Sequence, residues 1–205
     1  MIKLYGFPVS NYYNIAKAAL LEAGVEFEDV RTVPSQKDDY LAISPMGKVP
    51  AMEVDGAVLT ETSVMVDYVA EHLGGSLYPA DPVARAQVRE LMRYVDLYID
   101  LAARPCFGEA LFGGTVAEAI KEKSKADLER GVAALKRRAR FEPYMAGSEP
   151  SYADFVAYFS IPLANAVATR LFDWDFMADW PELAAMMAKL GERESVATIE
   201  ASRQG

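Results

Sequence analysis

The sequence predicts an α/β domain followed by an all-α domain, and three observations lead to that fold class. Short apolar runs typical of strands alternate with stretches of helical spacing at the start of the chain. Residues 74–82 then contain two glycines and two prolines, which interrupt helices and strands alike. Beyond this segment only helical patterns occur. We therefore predict the α/β domain at residues 1–75, a linker at 76–83 and the helical domain at 84–205.

Within the α/β domain, strand and helix signals follow one another in order. Gly24 stands where a helix C-cap is expected, and a helix that joins two neighbouring strands makes that strand pair parallel. The predicted strands cover residues 2–5, 27–32, 51–54 and 57–59, and the predicted helices cover residues 12–23, about 36–43 and a stretch that ends near residue 72.

The segment between residues 44 and 69 is the most informative part of the chain. Asp55-Gly56 is a dipeptide that two-residue hairpin turns prefer. Pro50 lacks an amide hydrogen and so fits only the first position or an edge of a strand. After the hairpin, a helix begins for which one of three hydroxyl side chains is the predicted cap: Thr60, Thr62 or Ser63. Free backbone groups beside a helix N-terminus suit an extended peptide with a carboxylate.

The helical domain has its own start and stop signals. A long helical pattern over residues 83–111 is predicted to break or kink near Pro105. A second helix is predicted over residues 115–140. Ser151 and Asp154 form a capping box ahead of the apolar run 155–168, and Pro181 fits the first turn of a further helix.

Composition excludes several classes of function. The chain has 205 residues and a net charge of -9, which argues against nucleic acid or an anionic membrane as the main partner. No run approaches the roughly 18 consecutive apolar residues of a membrane span, and the N-terminus lacks the layout of a signal peptide. The single cysteine, Cys106, suits a reducing cytoplasm. Because His72 is the single histidine, a zinc site of the usual ligands is not expected.

Residues 44–69 resemble the glutathione-binding half of the glutathione transferases. In that family a Ser/Asn-Pro-x-Gly-x-Val-Pro segment leads into a hairpin and then into Glu-Ser at a helix start. The matching residues here are Ser44, Pro45, Gly47, Val49, Pro50, Met52, Leu59, Glu61, Thr62, Met65, Tyr68 and Val69. The element order also resembles thioredoxin. The resemblance therefore implies a thioredoxin-like N-terminal domain, a helical C-terminal domain and a serine-type, bacterial-like transferase.

The resemblance implies that glutathione is the co-substrate and that a residue near the first helix activates its thiol. The pKa of a free cysteine thiol, roughly 8.5, leaves little thiolate at neutral pH. Ser10 lies fourteen residues before Gly24, the spacing of the serine classes, and is the favoured activator. Tyr5 is the rival, since the tyrosine classes place a phenol at the end of the first strand. Asn11 and Tyr12 are further candidates, and Ser10 as a mere helix cap is the alternative.

Five residues are implied to bind the tripeptide. The backbone of Val49 would pair with the cysteinyl residue of glutathione, ahead of a cis Pro50. Glu61 would meet the α-amino group, and Thr62 would bind the γ-glutamyl carboxylate at a helix N-terminus. Lys48 would reach the glycine carboxylate. No metal is implied.

The resemblance also implies a hydrophobic electrophile and a homodimer. The electrophile site is expected between the domains, with Tyr12, Met92, Tyr98 and Cys106 along its walls, although most of these side chains also suit a core. Two alternatives remain open at this point. One is a non-catalytic binding or regulatory protein of the same fold, and the other is a glutathione-dependent isomerase or peroxidase.

Overall fold

The computed structural model describes residues 1–203, and in it the chain forms two compact units. The first unit combines Met1–Leu77 with the segment that begins at Glu192, and the second is Tyr78–Gly191. The predicted domain division kept the last residues with the helical domain. The structure groups them with the α/β unit instead, because Arg193 and Ser195 both bind Glu22 there.

The first unit is built on a four-stranded sheet of order β2-β1-β3-β4. As predicted, β1 and β2 are parallel, while β3 is antiparallel to both β1 and β4. The strands are β1 (Ile2–Gly6), β2 (Phe27–Arg31), β3 (Ala51–Val54) and β4 (Ala57–Thr60), and the helices of this unit are α1 (Asn11–Glu22), α2 (Asp38–Leu41), α3 (Thr62–Tyr68) and, after the second unit, α10 (Glu194–Arg203).

Helix α1 forms where the sequence predicts it and carries much of the core of this unit. Ser10 caps its first turn, and Gly24 follows its end with a φ of 66°. Ile15, Ala18 and Leu20 are almost completely buried. This helix packs beside α3 and α10.

The hairpin is as predicted, but the cap of the helix after it is not. Asp55 and Gly56 both have positive φ, as a two-residue turn requires. Helix α3 has Glu61 at the N-cap position, without a side-chain capping bond, so the predicted hydroxyl cap from Thr60, Thr62 or Ser63 is wrong. The hydroxyl of Thr62 instead donates to the carbonyl oxygen of Tyr12 on α1. After α3 the chain continues through a π-helical turn, Val69–Leu73.

The second unit contains only helices in its regular structure. The break predicted near Pro105 is present as a short 3-10 turn, Arg104–Cys106, and a π-helical turn, Asp96–Asp100, precedes it. The helices are α4 (Pro82–Val95), α5 (Leu101–Ala103), α6 (Phe107–Phe112), α7 (Glu118–Arg138), α8 (Tyr152–Phe172) and α9 (Pro181–Gly191).

Helix α8 is the central helix of the second unit. Its predicted capping box is present: Asp154 Oδ2 accepts from the amide and the hydroxyl of Ser151, at 2.7 and 2.8 Å. Asp154 is fully buried, and burial raises the pKa of its carboxyl although these hydrogen bonds oppose that shift. In length and composition α8 would suffice to cross a membrane, but half of its most apolar window is buried inside the protein, as in a core helix.

Candidate active site

The loop before α1 holds Ser10 in a defined geometry. The amide of Ser10 donates to the carbonyl of Phe7 at 3.1 Å, and its own carbonyl accepts from the amide of Asn14 at 3.0 Å. Ser10 Oγ accepts from the amide of Tyr13 at 3.3 Å. This last bond uses a lone pair of the hydroxyl, so its proton can still be donated to another group. Ser10 therefore lies at the positive end of the α1 dipole, with a hydrogen available.

The next two predicted residues differ in exposure. Asn11 is buried, whereas Tyr12 is half-buried. The carbonyl of Tyr12 accepts the 3.3 Å hydrogen bond from the hydroxyl of Thr62. This contact joins the first turn of α1 to the first turn of α3, so two predicted parts of the site are neighbours.

Tyr5 points away from this region. Along β1 the side chains alternate between the two faces of the sheet, and Gly6 packs against the ring of Tyr13 on α1. Tyr5 therefore faces the opposite side, where its hydroxyl donates to Glu53 at 2.8 Å. Burial, together with the bond to Glu53 and its charge, raises the pKa of Tyr5 to about 12. A phenol in this state is poorly suited to activating a thiol.

The segment around Pro50 leads into β3 and contains a cis peptide bond. The Val49–Pro50 peptide is cis, as the family resemblance implies. Val49 is half-buried and precedes β3, whose sheet pairing begins at Ala51. The carbonyl of Lys48 accepts hydrogen bonds from the hydroxyls of Tyr40 and Ser44, at 2.9 and 2.8 Å, while the residue as a whole is exposed. The backbone of this segment is thus fixed by neighbours on one side.

The start of α3 has an unusual backbone. Glu61 is exposed and has a φ of 68°, a conformation that non-glycine residues rarely adopt. Its carbonyl accepts from the amides of Val64 and Met65, at 3.0 and 3.1 Å. No side chain caps this end of the helix. Strained residues of this kind are often found at binding sites.

Both halves of the chain match glutathione S-transferase domains. Residues 4–76 match the N-terminal domain model of that family, and residues 81–185 match its C-terminal domain model.

The chain belongs to the glutathione S-transferase family.

Individual relatives agree. A glutathione S-transferase from Pseudomonas putida is 47% identical over 205 residues, which is 100% of this chain and 93% of the relative. Among solved structures, the bacterial transferase BphK in a ternary complex has a TM-score of 0.82 and 26% identity, covering 99% of this chain and 100% of that one. A transferase homologue from Sulfitobacter, solved with bound glutathione, has a TM-score of 0.72 and 27% identity, covering 98% and 97%. This transferase is accordingly an enzyme that uses glutathione as its co-substrate.

The residues predicted for the electrophile site lie in different environments. Within the second unit of the transferase, Cys106 is fully buried and Met92 nearly so, which is the core position that the sequence also allowed. The sulfur of Met92 accepts from the hydroxyl of Tyr78 at 3.5 Å. Tyr98 is 49% exposed and stacks edge-on against Tyr94. Of these three side chains, only Tyr98 presents much surface to a small molecule.

The sequence pattern does not single out two side chains on α1 of the transferase, Tyr13 and Asn14. Tyr13 is buried, and its hydroxyl donates to Asp29 on β2 at 2.5 Å, while Lys17 binds the same carboxylate at 2.6 Å. Asn14 is 1% exposed, and its amide nitrogen donates to the carbonyl of Pro8 at 2.9 Å. Asparagine is a poor helix former, so its presence in the first turn, four residues after Ser10, was the available signal.

Proposed function

We propose that Ser10 activates the thiol of glutathione by donating a hydrogen bond to its sulfur. The observation that supports this proposal is the hydroxyl of Ser10, which accepts from the amide of Tyr13 and keeps its proton for a ligand. A donor and the positive end of a helix dipole both stabilise the thiolate over the thiol. Together they lower the pKa of the bound thiol from roughly 8.5 toward neutral pH.

The thiolate then acts as the nucleophile of the transferase. Its electron pair forms a new C–S bond with an electrophilic carbon, while a leaving group departs as an anion or a conjugated π system takes up the electrons. With a hydroperoxide, the sulfur would instead attack an oxygen atom, so that an S–O bond forms as the O–O bond breaks. An alkoxide leaves, and the resulting sulfenic acid of glutathione reacts with a second glutathione to give the disulfide and water. An isomerase reaction would use the same thiolate with a different second substrate.

The backbone at Val49 is the proposed partner of the cysteinyl residue of glutathione. Because regular sheet pairing begins only at Ala51, an extended peptide can lie along Val49 as an added strand. Pro50 is buried behind it. The ammonium group of Lys48, an exposed residue, would then bind the carboxylate of the glycine residue.

The γ-glutamyl end is assigned to the start of α3. The dipole of this helix favours a carboxylate at its N-terminus, and Glu61 would pair with the α-amino group. At 3.3 Å, the bond from the hydroxyl of Thr62 to Tyr12 is long for an O–H···O contact. We therefore infer that Thr62 exchanges this weak bond for a shorter, charge-assisted bond to the carboxylate when glutathione binds.

We also propose that the transferase is a homodimer in the cytoplasm. Large apolar side chains are exposed in both units, among them Met46 at 64% and Leu101 at 44%. A free, buried cysteine is compatible with a reducing compartment. Light scattering at micromolar concentration should give twice the mass of one chain, and the mass of a single chain would refute the dimer.

Retention and turnover together test the proposed function. The protein should bind immobilised glutathione, elute with free glutathione, and conjugate at least one member of a panel of haloarenes and enals. Hydroperoxides and isomerisable enones in the same panel identify peroxidase or isomerase activity. Retention without turnover of any panel member would contradict thiol activation by Ser10.

A further inference from the structure

The loop that carries Ser10 is held by a side chain from inside α1. Pro8 and Val9 lie between β1 and the helix. The carbonyl oxygen of Pro8 accepts a hydrogen bond from the side-chain nitrogen of Asn14, Nδ2, at 2.9 Å. The backbone amide of Asn14 also donates a hydrogen bond to the carbonyl of Ser10, at 3.0 Å. Asn14 therefore contacts the loop at two points, one on each side of Val9.

Burial makes this side-chain bond more than a surface contact. Asn14 is 1% exposed, and among residues 1–203 its carboxamide oxygen has no hydrogen-bond partner. The orientation of the amide is fixed, because the carbonyl of Pro8 can only accept and must face the nitrogen. Burying an unpartnered polar atom destabilises the folded protein. An apolar residue would fill this space without that cost. The presence of asparagine therefore indicates that its hydrogen bond to the Pro8 carbonyl is needed.

Tyr13, the neighbour of Asn14 on α1, does not hold the loop before Ser10. Tyr13 packs its ring against Gly6, where an added Cβ would lie 2.2 Å from the ring, and its hydroxyl binds Asp29. These contacts fix α1 to the sheet. They do not reach the carbonyl of Pro8, which lies two residues before Ser10.

We propose that Asn14 is a positioning residue that sets the direction of the Ser10 hydroxyl through the carbonyl of Pro8. This inference rests on the proposed role of Ser10. When the bond is lost, the Pro8 carbonyl turns toward solvent and the peptides on either side of Val9 rotate. Ser10 then keeps its place in the chain but loses its alignment with the sulfur of glutathione.

The test is a double-mutant cycle between residues 10 and 14 in the full chain. Asn14→Leu preserves side-chain size and removes the donor, so kcat at neutral pH should fall about fivefold, the equivalent of one ordinary hydrogen bond. The KM for glutathione should change less than about twofold, and the pKa of bound glutathione should rise. Asn14→Ala serves the same purpose if leucine does not fit. In a Ser10→Ala background either substitution should have no further effect on kcat.

A matched control separates positioning from general destabilisation. Ser124→Ala also removes a hydrogen bond from a buried side chain to a backbone carbonyl, that of Ala102, and it should leave the thiol pKa unchanged. Equal losses of kcat from Asn14→Leu in both backgrounds, or no loss at all, would overturn the role of Asn14 and leave that of Ser10 intact. If Ser10→Ala alone leaves the pKa of the bound thiol unchanged, the proposed role of Ser10 is refuted, and with it the role of Asn14 that rests on it.

Discussion

The N-termini of α1 and α3 solve the same problem in different ways. Each helix begins with amides that have no partner inside the helix. At α1 a serine side chain caps the turn and the loop before it is hydrogen-bonded. At α3 no side chain caps the turn, and the residue at the cap position, Glu61, has a φ of 68°.

The difference matches the two groups of glutathione that we propose to bind there, the thiol of the central cysteinyl residue and the γ-glutamyl carboxylate. A capped end satisfies its own amide and presents a hydroxyl, which suits one sulfur atom whose charge must be stabilised. An end that no side chain caps leaves the positive end of the helix dipole open to a ligand, which suits a carboxylate. The contact between Thr62 and Tyr12 links the two ends, so both are set by one local arrangement.

The largest expected effect is at the uncapped end. Thr62→Ala should weaken glutathione binding by about 1–3 kcal/mol, because a hydrogen bond to a charged group is lost. Titration calorimetry measures this change directly. Thr62→Ser keeps the hydroxyl and should bind within about threefold of the parent protein, or less than 0.7 kcal/mol. A glutathione complex whose γ-glutamyl end lies far from residues 61 and 62 would refute the assignment.

At the capped end, catalysis should suffer more than binding. Ser10→Ala should lower kcat at neutral pH by at least about tenfold, or roughly 1.4 kcal/mol, since the bound thiol regains a higher pKa. Much of the loss should be recovered at higher pH, where the thiol ionises without help. The thiolate absorbance of the bound complex gives the pKa, and Ser10→Thr is the control that keeps a hydroxyl. An unshifted titration in Ser10→Ala would reduce Ser10 to a helix cap.

A smaller effect should follow from relaxing the backbone at the uncapped end. Glu61→Gly removes a side chain from a residue with positive φ and should raise the free energy of unfolding by about 1 kcal/mol or less. The same change should weaken glutathione binding, because the partner of the α-amino group is gone. Denaturant unfolding measures the stability. Asp55→Gly is the control, since aspartate in a turn with a φ of 50° is tolerated and less should be gained. A less stable Glu61→Gly protein would show that no strain is stored there.

The smallest effect is expected at Tyr5, which belongs to neither helix end. Tyr5→Phe should leave the thiolate titration unchanged, because the phenol donates to Glu53 on the far face of the sheet. The pKa of Tyr5 is raised from 10.0 to about 12, so the folded state holds this proton more tightly. The stability it contributes is complete below pH 10 and is lost as the pH rises through 12. Tyr5→Phe should therefore lose less stability in that interval. A thiolate pKa that rises in Tyr5→Phe would favour a tyrosine-type enzyme.

Features with a local cause could be predicted from the sequence. The hairpin follows from Asp55-Gly56, the break from Pro105, and the start of α8 from Ser151 and Asp154, since each signal lies within a few residues of its effect. The order of strands and the parallel first pair also follow, because they depend on connection length. The same local signals placed the hydroxyl of Ser10 at the start of α1.

Features set by tertiary contacts could not be predicted. The three hydroxyl residues near the start of α3 are equally good caps in the sequence. In the structure the hydroxyl of Thr62 donates to the carbonyl of Tyr12, and Glu61 occupies the N-cap position. The pairing of Glu22 with Arg193 joins residues from opposite ends of the chain, so no sequence window contains it. The π-helical turn Asp96–Asp100 contains no proline or glycine, so no residue in it indicates an irregular helix.

The hydrogen bonds of Arg193 and Ser195 to Glu22 have a consequence for the order in which the protein is completed during synthesis. Burial would raise the pKa of Glu22, but its bonds to Arg193 and Ser195 prevail and hold that pKa below its ordinary value. The carboxylate thus depends on partners that a ribosome adds long after α1 has emerged. Domains usually fold in N-terminal order during synthesis, but here the α/β unit lacks the contacts of Arg193 and Ser195 until the whole of the second unit has been translated. The half of the enzyme encoded first is therefore the half completed last.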